Sequence, residues 1–264
     1  MPFILSDGFP AGLLPAPLTL KNLYQSELEE KISKTRYSQI KIAKKREYLS
    51  LSQFQVFQRG ETPDLSEEGQ GFISAATLHN QISRLTNTTG DQGSLFELNE
   101  CFAPCGKVQI YAKVRNGFED DLQLLFEHFA QGGYGAKKST GKGACSLTGF
   151  ASCDDLDMNG LQSSANGFVT LSHFVPAPGN PIDGAYKTTV KYGKLGEEKT
   201  FCGNPFKKPL IMLRPGSVFR TQSLQHWYGM LIKDIAYADQ DVVEYAYAFP
   251  VPAKIFLNSS NLVD

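Results

Sequence analysis

One stretch of this chain constrains its fold more than any other. Between residues 107 and 150, KVQIYAKVR, FEDDLQLLFEHFAQGG, the glycine-rich GGYGAKKSTGKG and ACSLTGF follow one another. In the first, Val108, Ile110, Ala112 and Val114 alternate with Lys107, Gln109, Tyr111 and Lys113, the period of two that half-buries a strand. In the second, Phe118, Leu122, Leu125, Phe126 and Phe129 recur at three- and four-residue steps, which predicts a helix packed by one face. Its first turn carries Glu119, Asp120 and Asp121, favoured there by the helix dipole, and Gly132 marks its end. ACSLTGF reads as a further short strand. Strand, helix, glycine loop and strand in that order make half of a ferredoxin-like fold, in which a helix covers one face of an antiparallel sheet.

The loop at 132 to 144 holds five glycines and three lysines with no acid, so a nucleotide phosphate is the first ligand to consider. The phosphate-loop pattern fails: Lys142 is followed by Gly143 instead of a hydroxyl, the spacing from Gly135 to Gly141 is one too long, and the loop follows a helix. The dinucleotide pattern fails as well, because Lys138 stands where a third glycine belongs. What remains is a cationic loop whose backbone amides can approach phosphates closely, a property that also suits a nucleic-acid backbone.

The wider chain sets the bounds. Its 264 residues, 41% of them hydrophobic, can bury a real core and fill one large domain or two ordinary ones. There is no run of about eighteen apolar residues to span a membrane, and MPFILSDGFP lacks the basic start of a secretory signal. Five irregularly spaced cysteines fit a reducing cytoplasm better than a disulfide framework; Cys101 and Cys105 have no second pair at zinc spacing and read as small buried hydrophobes. The net charge of −1 hides blocks. KISKTRYSQIKIAKKR, residues 31 to 46, carries seven basic residues and no acid, while acids gather in FEDD, CDDLD and ADQDVVE. Such separation fits a polyanion face beside a protein-contacting or solvent face, or a solvated surface with accidental clusters.

Residues 21 to 50 read as helical and basic. Residues 72 to 96, rich in Thr, Asn and Gly, read as a protruding hairpin or arm, and PFILSDGFPAGLLPAPL supplies one strand before a proline-broken crossing. After the polar boundary CDDLDMNGLQSSANG come strand-like FVTLSHFVP, AYKTTVKYG, KPLIMLRPGSVF and VVEYAYAFPVPAKIFL, with LQHWYGMLIKDIAY of mixed character.

Four of these stretches, SDGFPAGLLPAPL, HNQISRLTNTTG, GGYGAKKSTGKG and VVEYAYAFPVPAKI, resemble in order and spacing the RAMP subunit that caps the five-prime end of guide RNA in type III-A CRISPR Csm complexes. The resemblance implies an α+β chain of two ferredoxin-like, RRM-related domains, expected over residues 1–158 and 159–264. The family carries a further strand and helix ahead of the SDGFP-like stretch, so the first domain is expected to be N-terminally incomplete, with a sheet edge that needs a partner. The resemblance also implies a non-catalytic cytoplasmic protein without cofactor or metal. It would hold the repeat-derived five-prime tag of the crRNA and touch a backbone RAMP subunit and the large polymerase/cyclase-like subunit, with no membrane contact and no homo-oligomer.

Carried onto this sequence, Gly133, Gly135, Gly141 and Gly143 let the backbone reach phosphates, Lys137, Lys138 and Lys142 neutralise them, and Ser139 and Thr140 donate hydrogen bonds. Tyr134 stacks on a base or packs on the loop. In the arm, Arg84 contacts a phosphate or base, while His79 and Asn80 fix the arm or read the tag. Lys41, Lys44, Lys45 and Arg46 extend the RNA path or form a solvated helical face. The alternative is a metal-independent guide-processing endoribonuclease of the same fold, with His79 and Lys137 or Lys142 as its acid, base and cation.

Overall fold

A computed structural model describes the chain except for residues 26–33, 81, 90–94, 136, 139–140, 155, 157–159, 162, 197–202, 238 and 258–264. Punctuated by Gly8, Pro10 and Gly12, the first fifteen residues form three short strands where one was expected: β1 (Phe3–Leu5), β2 (Phe9–Pro10) and β3 (Leu13–Pro15). The basic region follows as α1 (Leu20–Leu23) and α2 (Lys34–Lys45), then β4 (Tyr48–Ser50) and α3 (Leu51–Gln58). Ser50 starts α3 with a capping box, its Oγ accepting from Gln53 N while Gln53 Oε1 accepts from Ser50 N. The arm is β5 (Ile73–Asn80) against β6 (Leu95–Phe102), and β7 (Val108–Gln109), β8 (Ala112–Val114) and α4 (Glu119–Gly132) complete the first half.

Past the polar boundary the described residues contain strands and no helix. They are β9 (Gly167–Thr170), β10 (Gly184–Ala185), β11 (Thr188–Lys191), β12 (Leu210–Leu213), β13 (Val218–Arg220), β14 (Tyr228–Ile232), β15 (Glu244–Ala248) and β16 (Pro250–Ala253). LQHWYGMLIKDIAY therefore resolves into strand, paired with the Tyr-Ala repeat of β15. One four-stranded antiparallel sheet, in the order β10-β13-β9-β16, stands beside six two-stranded pairs: β1-β8, β2-β7, β3-β4, β5-β6, β11-β12 and β14-β15. The architecture is mixed α/β with mostly small antiparallel sheets, and no helix among the described residues is long and apolar enough to cross a membrane.

Strand β9 shows why the core needs both halves of the chain. Phe168 on one face joins the aromatic cluster of Phe174, Phe219 and Tyr228, stacked on Tyr228 with ring centroids 4.2 Å apart. Val169 and Leu171 on the other face join the main core, which includes Leu14, Leu20, Leu49, Phe54 and Phe57 from the first half and Val251 and Ile255 from the last strand region. A strand buried on both faces reads as a continuous apolar run, as FVTL does. Beside it, β16 is an edge strand, which is where alternate prolines are tolerated. The outward carbonyls of Pro250 and Pro252 accept from Lys113 Nζ (2.6 Å) and Gln58 Nε2 (3.1 Å), so no buried acceptor on that side is left open.

Three expectations for residues 107 to 150 need correction. KVQIYAKVR forms two strand pieces, but Tyr111 is buried while Val108 and Ile110 are exposed, the reverse of the predicted facing. Between the pieces Tyr111 N donates to Ser6 Oγ and Ser6 N donates to Tyr111 O, both at 2.8 Å, and the ring packs against Phe249, burying a larger surface than a valine would. ACSLTGF adopts no regular structure and is exposed throughout. With no strand there, α4 lacks the sheet it was expected to cover: Leu122 is buried, whereas Leu124, Leu125 and Phe129 remain exposed and Phe126 meets Phe150 edge-on at 5.8 Å.

Candidate nucleic-acid interface

The glycine-rich loop begins where α4 stops. Gly133, at φ 68°, caps the helix by donating its N–H to Phe129 O at 3.0 Å. The loop then closes on itself, because Tyr134 N donates to Gly143 O at 2.9 Å and Gly141 N donates to Lys138 O at 3.1 Å. Gly143 is required on two counts: its φ is 72°, and a Cβ there would lie 1.7 Å from the backbone oxygen of Tyr134. Gly135 and Gly141 also have positive φ, yet nothing lies within 4 Å of where their Cβ would be. They turn the chain and leave space beside its backbone.

Side chains dress this frame. Tyr134 is 71% exposed, with its ring tilted against Phe129 at 5.9 Å, so packing at the helix end leaves one face of the ring open for a base. Lys137 and Lys138 are exposed on the loop, and Ser139 and Thr140 lie outside the described residues. Lys142 forms an ion pair with Glu100 of β6. That contact joins the loop to the arm at the level where Glu100 pairs with Ala75, bringing together two stretches that the sequence singled out separately.

The arm is the expected hairpin, in register from Ile73 opposite Phe102 to Asn80 opposite Leu95. Both of its faces are largely exposed, and its tip turns through Asn87 at φ 50° with Arg84 exposed nearby. Asn80 is exposed at the end of β5. The His79 ring stacks on Phe96 at 5.4 Å, and its Nε2 is buried without a hydrogen-bond partner. The paired Lys142 docks near Ala75, four residues along the strand from His79 and about 13 Å away at the usual rise.

On α2, Lys41, Lys44 and Lys45 are exposed at i, i+3 and i+4, forming one cationic stripe opposite the buried Ile40 and Ala43. Arg46 does not extend it. Its guanidinium is turned inward, donating to Leu65 O at 2.6 Å and Glu67 O at 3.2 Å, with Glu68 at 3.5 Å. This arginine ties the chain after α3 to the end of α2 and has no surface to offer RNA. Cys101 and Cys105, read as buried hydrophobes, are instead exposed free thiols, because the hairpin that carries Cys101 is itself covered on neither face.

Sequence reasoning missed Glu100 as the loop's anchor, and it missed a pair formed by Asp7 of the SDGFP stretch and His173, with Oδ2 and Nδ1 2.5 Å apart. Partners 166 residues apart leave no local signal.

No protein-family model and no curated protein matches the chain. Solved structures do. A chain of a Csm1-Csm4 cassette in complex with pppApApA superposes with a TM-score of 0.59 at 14% identity, covering 97% of this chain and 80% of that one. A chain of the same cassette in complex with cA4 gives 0.55 at 15% over the same shares. A chain of the Csm3-Csm4 subcomplex in the type III-A CRISPR-Cas interference complex gives 0.55 at 12%, covering 96% of this chain and 84% of that one. The likeness is one of fold over nearly the whole chain, shared with chains of these Csm1-Csm4 and Csm3-Csm4 assemblies.

Proposed function

We propose that the chain is a non-catalytic RNA-binding subunit of a type III-A CRISPR effector complex, which anchors the repeat-derived five-prime tag of the crRNA and bridges the large polymerase/cyclase-like subunit to a backbone RAMP subunit in the cytoplasm. The observation that carries this reading is the self-closed, lysine-bearing glycine loop docked through Lys142 and Glu100 onto an exposed hairpin, within a fold shared with Csm subunits. An exposed loop bearing lysines offers a phosphate backbone charge and a close approach.

Assembly with protein partners has its own support. The similar chains were solved with Csm1 and with Csm3. In this chain Val108 and Ile110 are exposed at β7, Leu124, Leu125 and Phe129 are exposed on α4, and the hairpin exposes Leu78, Leu95 and Phe102. Two-stranded ribbons exposed on both faces gain stability from a partner, and clustered apolar exposure marks contact surfaces. We read the two halves as two ferredoxin-like units.

Co-expression with the candidate large and backbone subunits and a guide precursor, purification through this chain and sequencing of the bound RNA test the reading. Short RNAs that share one repeat-derived five-prime end are expected. Subunits recovered without RNA would refute the anchoring role.

A further inference from the structure

A second cationic site lies in the β-rich half, at lysines to which the sequence assigned no RNA contact. Strands β11 and β12 pair with Lys191 opposite Leu210. The chain around them is pinned by two backbone bonds, Lys207 N to Gly193 O at 2.8 Å and Lys208 N to Ile235 O at 2.7 Å. These contacts bring Lys191, Lys207 and Lys208 around a cavity of about 80 Å³, with Glu244 of β15 in its wall. Gly193 makes room for this wall: a Cβ there would come within 2.8 Å of Lys207 Cδ.

The charges do not balance. Glu244, with its side chain only 10% exposed, accepts from Lys191 Nζ at 2.5 Å on one oxygen and from Lys207 Nζ at 2.8 Å on the other. Burial alone would raise its carboxyl pKa, but the two lysines outweigh that and hold it low, so it is ionised at neutral pH. Among the described lining residues, three lysines thus stand against one carboxylate, the third of them, Lys208, with its Nζ 5.7 Å from the centre of the Tyr237 ring. Each ammonium has three donors, of which Glu244 takes one from Lys191 and one from Lys207. The surplus positive charge borders a space with room for a small oxyanion. Beside the site stand the exposed rings of Tyr192 and Phe206, the latter with Lys194 Nζ 6.0 Å from its centroid. Open aromatics next to cations are the elements that hold unpaired nucleotides.

We propose that this cavity is a phosphate site, which takes one phosphate group of a single-stranded nucleic acid lying along the β11-β12 ribbon. It rests on the reading of the chain as an RNA-binding subunit and gives that RNA a second contact in the other half of the molecule.

The test uses the full chain, inorganic phosphate followed by ³¹P NMR titration, and a labelled single-stranded RNA followed by anisotropy across a salt series. Lys208→Ala alters an exposed residue outside the Glu244 pair and should weaken phosphate binding about tenfold and flatten the slope of log affinity against log salt by about 0.7. Glu244→Gln removes the one negative charge and should act in the opposite direction, tightening both ligands; circular dichroism verifies that it is folded. Phosphate binding that is equal in wild type and Lys208→Ala, or Glu244→Gln weakening phosphate as Lys208→Ala does, overturns the site. A change with inorganic phosphate but none with RNA overturns the nucleic-acid assignment and leaves free phosphate as the ligand. A Lys137→Ala/Lys138→Ala variant separates the two proposals. If it flattens the RNA slope while Lys208→Ala does not, the loop reading stands and the nucleic-acid assignment of this cavity falls; if wild type binds no RNA, the earlier reading fails and the phosphate titration still decides the cavity.

Discussion

Replacing Gly143 with alanine probes the closure of the glycine loop at the point where the structure tolerates it least. The new methyl group would lie 1.7 Å from the backbone oxygen of Tyr134, an atom that cannot swing aside as a side chain could. Holding alanine at φ 72° costs about 1–2 kcal/mol by itself. Relief requires opening the Tyr134 N to Gly143 O hydrogen bond, a further loss of about 1 kcal/mol. If RNA is held by the closed loop, the total of about 2–3 kcal/mol appears as a loss of affinity of about 30- to 150-fold. Gly141→Ala supplies the control. Its φ is 80°, yet nothing lies within 4 Å of the added carbon, so the strain of about 1 kcal/mol should weaken binding only about fivefold. Anisotropy with labelled guide RNA on the assembled complex measures both, with thermal unfolding as a check on the fold. Equal losses from the two variants, or none from Gly143→Ala, would show that the closed loop is not the RNA-binding form.

Further outcomes follow from the same geometry. Lys137→Ala and Lys138→Ala together should flatten the salt dependence of RNA affinity by about 1.4, at about 0.7 per phosphate on a single strand, and an unchanged slope would remove these lysines from the interface. Arg46→Ala strands the carbonyls of Leu65 and Glu67 and should lower stability by about 2–4 kcal/mol in urea denaturation, whereas Lys44→Ala at the exposed stripe should stay within about 0.5 kcal/mol; equal effects would contradict the inward placement of Arg46. Burial pushes the Lys113 ammonium from its ordinary 10.5 down to about 7. The unfolded chain then holds one proton more than the folded chain between those values, so this lysine makes stability rise with pH across the window, by an upper limit of about 5 kcal/mol. Lys113→Met removes this dependence but strands Pro250 O at every pH, so its stability relative to wild type should be highest near about pH 6 and fall by about pH 10, and urea curves whose wild-type-to-variant difference does not change with pH would refute the assignment.

Much of the candidate site was legible because its determinants are local. A helix that ends in glycine, a loop whose dihedrals demand glycine, and a Thr- and Asn-rich turn between two strands each depend on residues a few positions apart. Hence α4, the loop and the β5-β6 arm stand where the sequence placed them. Arg46 failed for the converse reason: seven basic residues in sixteen describe a cationic helix, but the last of them meets carbonyls from beyond α3, about twenty residues along.

Backbone dihedrals and side-chain period act over one or two turns, so α4, its glycine end, the hairpin and the dense positive charge could be read locally, whereas the strand expected at ACSLTGF did not form. Which face of KVQIYAKVR is buried was a tertiary matter, since alternation is symmetric and the choice fell to Ser6 and Phe249 from distant segments. The tertiary structure likewise decided that Lys142 meets Glu100, that Asp7 meets His173, and that Lys191 and Lys207 share Glu244, because the pairing of charges far apart along the chain depends on how strands pack and leaves no local trace.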